Sequence, residues 1–305
     1  MDGSTGVTLV AATVMTILLG GCVQSTPQPH VLEGEREHWQ GAIFQEPIVV
    51  DRGAELNSTG LLETPGPIIV RGTWFGQSLN IRFTGRPEDA AILVDGGAVM
   101  LERSGFSTPI SIEVRNDAHV SMNNATVSAT ALAVRNGGLF TGEKLTLFAA
   151  SPGLEVVVVE NGRFILSNSS ADGIAFRAER DASIRLVNVG VGITSFRGVG
   201  VIERTWHARI AAKGDSGAPL PNARVNVHSV GVSAEFGFVE TSENGEAYVE
   251  LVEIRRRNGE VEAVTPHTFD LDDPLSKTLA YVNSEDQLIV VRQSAGATQR
   301  ILRLP

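Results

Sequence analysis

The chain reads as an all-β protein: a parallel solenoid of about seven stacked coils, followed by a small C-terminal β-sandwich. Three observations predict it. A unit of about 20 residues recurs between residues 43 and 202. Apolar positions inside the unit alternate instead of recurring at helical spacing. Only 6% of the 305 residues are aromatic while Gly numbers 32, which suits thin stacked strands better than a bulky globular core. A hydrophobic share of 42% is normal for a folded protein and argues against global disorder. A single Cys excludes an intrachain disulfide framework and a Cys-rich zinc site. The net charge of −10 argues against nucleic acid or anionic lipid as the main partner.

The first element is a targeting segment. Residues 7–21, VTLVAATVMTILLGG, are apolar or small and carry no charge. A membrane-spanning helix needs roughly 20 apolar residues, so this stretch suits the core of a signal peptide over residues 1–21. Cys22, the only Cys, follows Leu19-Gly20-Gly21 directly. The arrangement resembles the lipobox of prokaryotic lipoproteins. That resemblance implies that Cys22 is lipidated and becomes the first residue of a mature, extracytoplasmic, membrane-anchored chain. One departure is visible: the first basic residue is Arg36, whereas signal peptides normally begin basic. Residues 22–42 are rich in Ser, Thr, Pro, Gln and charges, which is tether composition.

The repeats come next. Units begin at Val50, Val70, Val94, Val114, Val134, Val159 and Ala178. A charged residue follows each opening: Asp51, Arg71, Asp95, Arg115, Arg135, Glu160 and Glu179. Turn formers come next, among them Gly96-Gly97, Asn116-Asp117, Asn136-Gly137 and Asn161-Gly162, where positive φ is cheap. Six residues after the opening an apolar side chain is expected inside: Leu56, Met100, Val120, Phe140, Ile165 and Ile184. Val70 breaks the rule with Gly76, and the longer step after it suggests an insertion. No coil of this size buries its apolar face alone, so coils must stack, Val on Val, with turn-site Asn side chains free to form ladders. Along the post-Val column, neighbouring acids and bases should compensate one another. Regularly spaced hairpins of a β-sandwich are the competing arrangement. The stretch resembles the right-handed parallel β-helices of extracellular and periplasmic proteins; handedness is implied by that resemblance alone.

Residues 203–305 follow a different grammar. Gly217-Ala218-Pro219-Leu220-Pro221-Asn222-Ala223-Arg224-Val225-Asn226-Val227 is followed by Thr241-Ser242-Glu243-Asn244-Gly245-Glu246-Ala247. The pair resembles the carboxypeptidase-regulatory-like, prealbumin-like β-sandwich family, with Ser242 where that family often has Asp. Asn244-Gly245 and Asn258-Gly259 are tight-turn signals. Final strands are expected at 280–282, 288–292 and 299–304. Arg255-Arg256-Arg257 reads as a solvated hairpin end.

Chemistry is sparse. Glycosidic cleavage needs paired carboxylates at one lateral position. Only Glu160 and Glu179 are adjacent acids in the charged column, and they read as a solvated face. Asp270, Asp272 and Asp273 lack the glycine turn and the bidentate acid of a calcium loop. The six His form no short metal-binding pattern. Sequons stand at Asn57, Asn124 and Asn168. The expectation is therefore a non-catalytic envelope or surface lipoprotein with no cofactor and no metal, acting as scaffold, adhesin or glycan-binding module. Its partners would be the membrane, through the anchor, and an envelope polysaccharide or another surface protein, with no nucleic acid. A carbohydrate-active β-helix enzyme and a periplasmic assembly or metal-handling helper are the alternatives.

Overall fold

The computed structural model describes residues 28–151, 156–190, 195–229, 236–271 and 277–293. The protein is 66% strand and 1% helical, and its body is a parallel solenoid of about eight turns. Cys22, the signal segment 1–21, residues 22–27 of the tether, Asp272, Asp273 and the strand expected at 299–304 lie outside the described residues.

Each coil contributes three short strands to three faces. The first face stacks the opening valines. Val50, Val70, Val94, Val114, Val134 and Val159 are register partners in parallel strands, followed by Ala178. All seven are fully buried. Regular hairpins are thereby excluded for this stretch. The second face stacks 36–40, 55–59, 73–77, 98–102, 119–123, 139–143, 163–167, 183–187 and 201–205. The third face runs through 60–64, 79–83, 105–106, 126–129, 146–149 and 169–172. Inside, Phe140 stacks on Phe164 at 5.0 Å with rings 8° apart, and Phe176 and Phe196 continue the column. A fully buried side chain of this size contributes about 1.5–3 kcal/mol.

Two corners set the shape. The first, after the opening Val and its charge, uses left-handed residues such as Gly53, Gly96, Asn116, Asn136, Asn161 and Arg180. The second is a single left-handed residue per coil, between the second and third faces: Gly41, Gly60, Ser78, Arg103, Asn124, Lys144, Asn168 and Asn188. Side chains other than Gly, Asn and Asp rarely tolerate this conformation. One residue past this corner, Ser104 and Ser169 occupy the inside. Their hydroxyls accept from the backbone N–H of Leu79 and Leu145 in the neighbouring coil, satisfying donors that the corner leaves out of the ladder.

The structure corrects several expectations. The solenoid begins within the stretch assigned to a tether: His30–Leu32 pairs with Ile48–Val50, and Arg36–Ile43 pairs with the strand Glu55–Thr64. Polar composition hid this coil because, among the described residues, only one side of it meets another coil. The inward position is also not fixed at six residues. Val99 and Phe164 are buried while Met100 and Ile165 face outward, because Gly96-Gly97 and Asn161-Gly162 make a turn one residue shorter. After Val70 the turn is shorter still and Trp74 takes the inside, its indole N–H donating to Ser58 Oγ at 2.7 Å. The insertion expected in that coil lies at the third corner, with the short helix Pro87–Asp89. Finally, the Asn ladder belongs to the second corner. Asn188 Nδ2 donates to Asn168 Oδ1 at 2.9 Å, whereas Asn116 donates to Asp95.

No linker separates the C-terminal part. One strand, Val201–Lys213, closes the solenoid through 201–205 and then runs on. It pairs antiparallel with Glu246–Arg257 and, through 208–213, parallel with Gln287–Arg292. A second, antiparallel sheet contains Phe236–Glu240, Arg224–Ser229, His267–Asp270 and Thr278–Ala280. Trp206, Ile210, Leu251 and Ile289 from the first sheet share one buried cluster with Val225, Val227 and Phe269 from the second. The arginine run is not a solvated end. Arg255 is buried and paired with Glu203 at 2.6 Å, and Arg256 donates to the Phe196 carbonyl at 2.6 Å. Only Arg257 stays exposed, beside the left-handed Asn258-Gly259 turn.

Candidate functional site

An open groove of about 510 Å³ lies on the outer surface of the second face. It follows from strand alternation: where Leu56, Trp74, Val99 and Val120 point inward, the next residue points out. Thus His38, Asn57, Phe75, Met100 and Ser121 stand in register, one per coil, over five successive coils. At about 4.8 Å per coil this column is about 19 Å long. Beside it, toward the second corner, run Gln77, Glu102 and Asn123. Gly76 sits between them with its α-carbon facing the core, where a Cβ would come within 2.6 Å of Leu101 Cδ2.

The groove offers a ring face, a thioether, an imidazole, three amides and one carboxylate. Asn57 Nδ2 donates to Glu55 Oε1 at 3.1 Å, and Gln77 Nε2 to Glu102 Oε2 at 3.5 Å. Glu55 borders the site and is held below the usual carboxylate range by hydrogen bonds from Arg36 and Asn57. Among the described residues lining the groove, Glu102 is the one carboxylate. Sequence reasoning missed this site for two identifiable reasons. Composition puts His38 in a tether, and the six-residue rule puts Met100 inside. Counting the turn residues of each coil separately would have turned Met100 outward and aligned it with Phe75.

The charged column behaves as the sequence suggests. Arg71 meets Asp51 at 3.5 Å, Arg115 meets Asp95 at 3.1 Å, and Arg135 lies 3.4 Å from Glu160. Glu179 is bound by Arg177 at 2.6 Å. Hydrogen bonds from Asn116 and Arg115 hold the Asp95 carboxyl below its ordinary range. Glu160 and Glu179 thus each carry an arginine partner. No group of three metal-ligating side chains occurs among the described residues. The sequons fall on the solenoid surface. Asn124 and Asn168 occupy second-corner positions, where Asn is favoured for its backbone, and Asn57 lines the groove.

In the C-terminal part the two motif segments interlock. Thr241 Oγ1 donates to the Leu220 carbonyl at 2.7 Å and accepts from Ala223 N–H at 2.9 Å. Gly245 has φ of +72° and lies so close to Pro219 and Leu220 that a Cβ would come within 2.9 Å of both. His228 pairs with Asp270 at 3.1 Å, and His267 spans the two sheets between Ser229 and the Val252 carbonyl. These histidines are structural ties.

No family model, no curated protein and no solved structure matches this chain. The fold itself therefore defines the class, a parallel β-solenoid. No helix among the described residues is long and apolar enough to cross a membrane.

Proposed function

We propose that the protein is a non-catalytic, lipid-anchored component of a prokaryotic cell envelope whose solenoid groove binds a glycan chain. Lipidation at Cys22, after removal of residues 1–21, supplies the anchor and places the body outside the cytoplasm. The observation that carries the binding role is the in-register column His38-Asn57-Phe75-Met100-Ser121 with its flanking amides. A ring face and a thioether suit the apolar C–H face of a sugar, and amides satisfy its hydroxyls. An elongated groove along the stack suits an extended polymer. The single carboxylate and the overall charge of −10 favour a neutral or N-acetylated polysaccharide over an acidic one. Cleavage would call for a second acid beside Glu102.

The C-terminal part reads as a prealbumin-like β-sandwich that closes one end of the solenoid. The clamp between Thr241 and the Leu220–Ala223 segment supports that reading, since it joins the two stretches that carry the resemblance.

Calorimetric titration with neutral and N-acetylated envelope polysaccharide fragments tests the groove. Binding should weaken about tenfold in Phe75→Ala, a loss of about 1.4 kcal/mol, with unchanged thermal unfolding. Equal affinity in the variant, or no binding to any such fragment, would sink the glycan role.

A further inference from the structure

The two ends of the solenoid differ. The C-terminal end is covered by the sheet that continues from Val201–Lys213. At the other end, among the described residues, the first coil pairs on one side only, with the coil after it. This end is closed by rings. Trp39 and Phe44 lie 4.6 Å apart, and His30 touches both, at 5.8 and 5.0 Å. The Trp39 indole N–H donates to Glu37 Oε2 at 2.7 Å. Around the rings, Val31 is 42% exposed and Ile43 66%.

We propose that this ringed end seats on the lipid surface, at headgroup level. The inference rests on the anchor reading above and on chain length. From Cys22 to His30 there are eight residue steps, which span at most about 28 Å fully extended. The first described strand begins at His30, so the end nearest Cys22 along the chain is the ringed one. Trp rings beside polar groups favour the membrane–water interface. The outer strand edge, which has no partner strand among the described residues, requires hydrogen-bonding partners, which headgroups and their water supply and hydrocarbon does not, so contact stops at the interface. Exposed Glu33 and Glu35 beside it make a zwitterionic surface the suitable one.

The chain has three Trp. Trp74 and Trp206 are 0% and 5% exposed, so Trp39 is the indole placed to meet lipid. The test uses the Cys22-acylated protein in phosphatidylcholine vesicles whose acyl chains are brominated near the headgroup. Emission should fall relative to unbrominated vesicles. The fall should disappear in Trp39→Phe and shrink in Ile43→Glu, a change at an exposed position that leaves the fold intact. Acylated protein whose emission ignores bromine would overturn the seating while leaving the anchor in place. Mass spectrometry on the same sample separates the other failure: an unacylated Cys22 removes the anchor reading, and this inference with it.

Discussion

Asp95 shows how single residues tie one coil to the next. Its carboxylate takes hydrogen bonds from Asn116 and Arg115, both in the following coil, and these hold its pKa down. A depressed folded pKa gives stability that is complete above the unfolded value of about 3.9 and is lost as pH falls through the folded one. Urea unfolding should therefore show a steeper loss as pH falls below about 4 for the native protein than for Asp95→Asn. Parallel curves would remove Asp95 from the acid response. Trp74 makes the same point for packing. It fills the core where the shortened turn turns it inward, and Ser58 satisfies its indole. Trp74→Ala should lower unfolding free energy by about 3–5 kcal/mol, read from the urea midpoint. Residue-level chemistry of this kind was partly legible. The alternating charges announced the Asp–Arg pairs, but nothing local linked Ser58 to Trp74 sixteen residues away.

At the scale of the coil, corners decide what the repeat tolerates. The second corner needs one left-handed residue per turn, and Asn124 supplies it with φ of +51°. Asn124→Gly should leave the thermal midpoint nearly unchanged, because Gly has no Cβ to strain. Asn124→Val should cost about 1–2 kcal/mol, visible as a lowered midpoint. Equal behaviour of the two would mean that the corner is not under backbone constraint. This corner was hardly legible in the sequence, since Gly, Ser, Arg, Asn and Lys all serve there. The first corner was legible because Asn-Gly and Gly-Gly pairs mark it. What misled was its variable length: a turn shortened by one residue reverses every side chain after it. That reversal hid Met100, and with it the alignment with Phe75 that makes the groove. The first coil was hidden differently. An end coil needs fewer apolar residues, so its composition resembles a linker.

For the whole molecule, the solenoid and the C-terminal sheets form one body through a shared strand. Arg255–Glu203, Arg204–Glu253 and Arg185–Glu250 bridge the final coil's strands and the antiparallel partner of that strand. Removing one partner of a largely buried pair leaves a charge uncompensated. Arg255→Ala should cost about 3 kcal/mol, and urea unfolding followed by circular dichroism should then resolve into two steps as the parts uncouple. A single transition at the native midpoint would contradict the junction's role. At this scale the order of architectures was readable from the change in repeat grammar near residue 200, whereas the continuity of the strand across it was not.

The proposed envelope role requires that Cys22 hold this solenoid at a membrane. Mass spectrometry of the mature N-terminus from membrane fractions, beside a Cys22→Ala control, tests it most directly. A diacylated or triacylated peptide beginning at Cys22 is expected, with the variant released from the membrane. An unmodified peptide that retains residues 1–21 would contradict it.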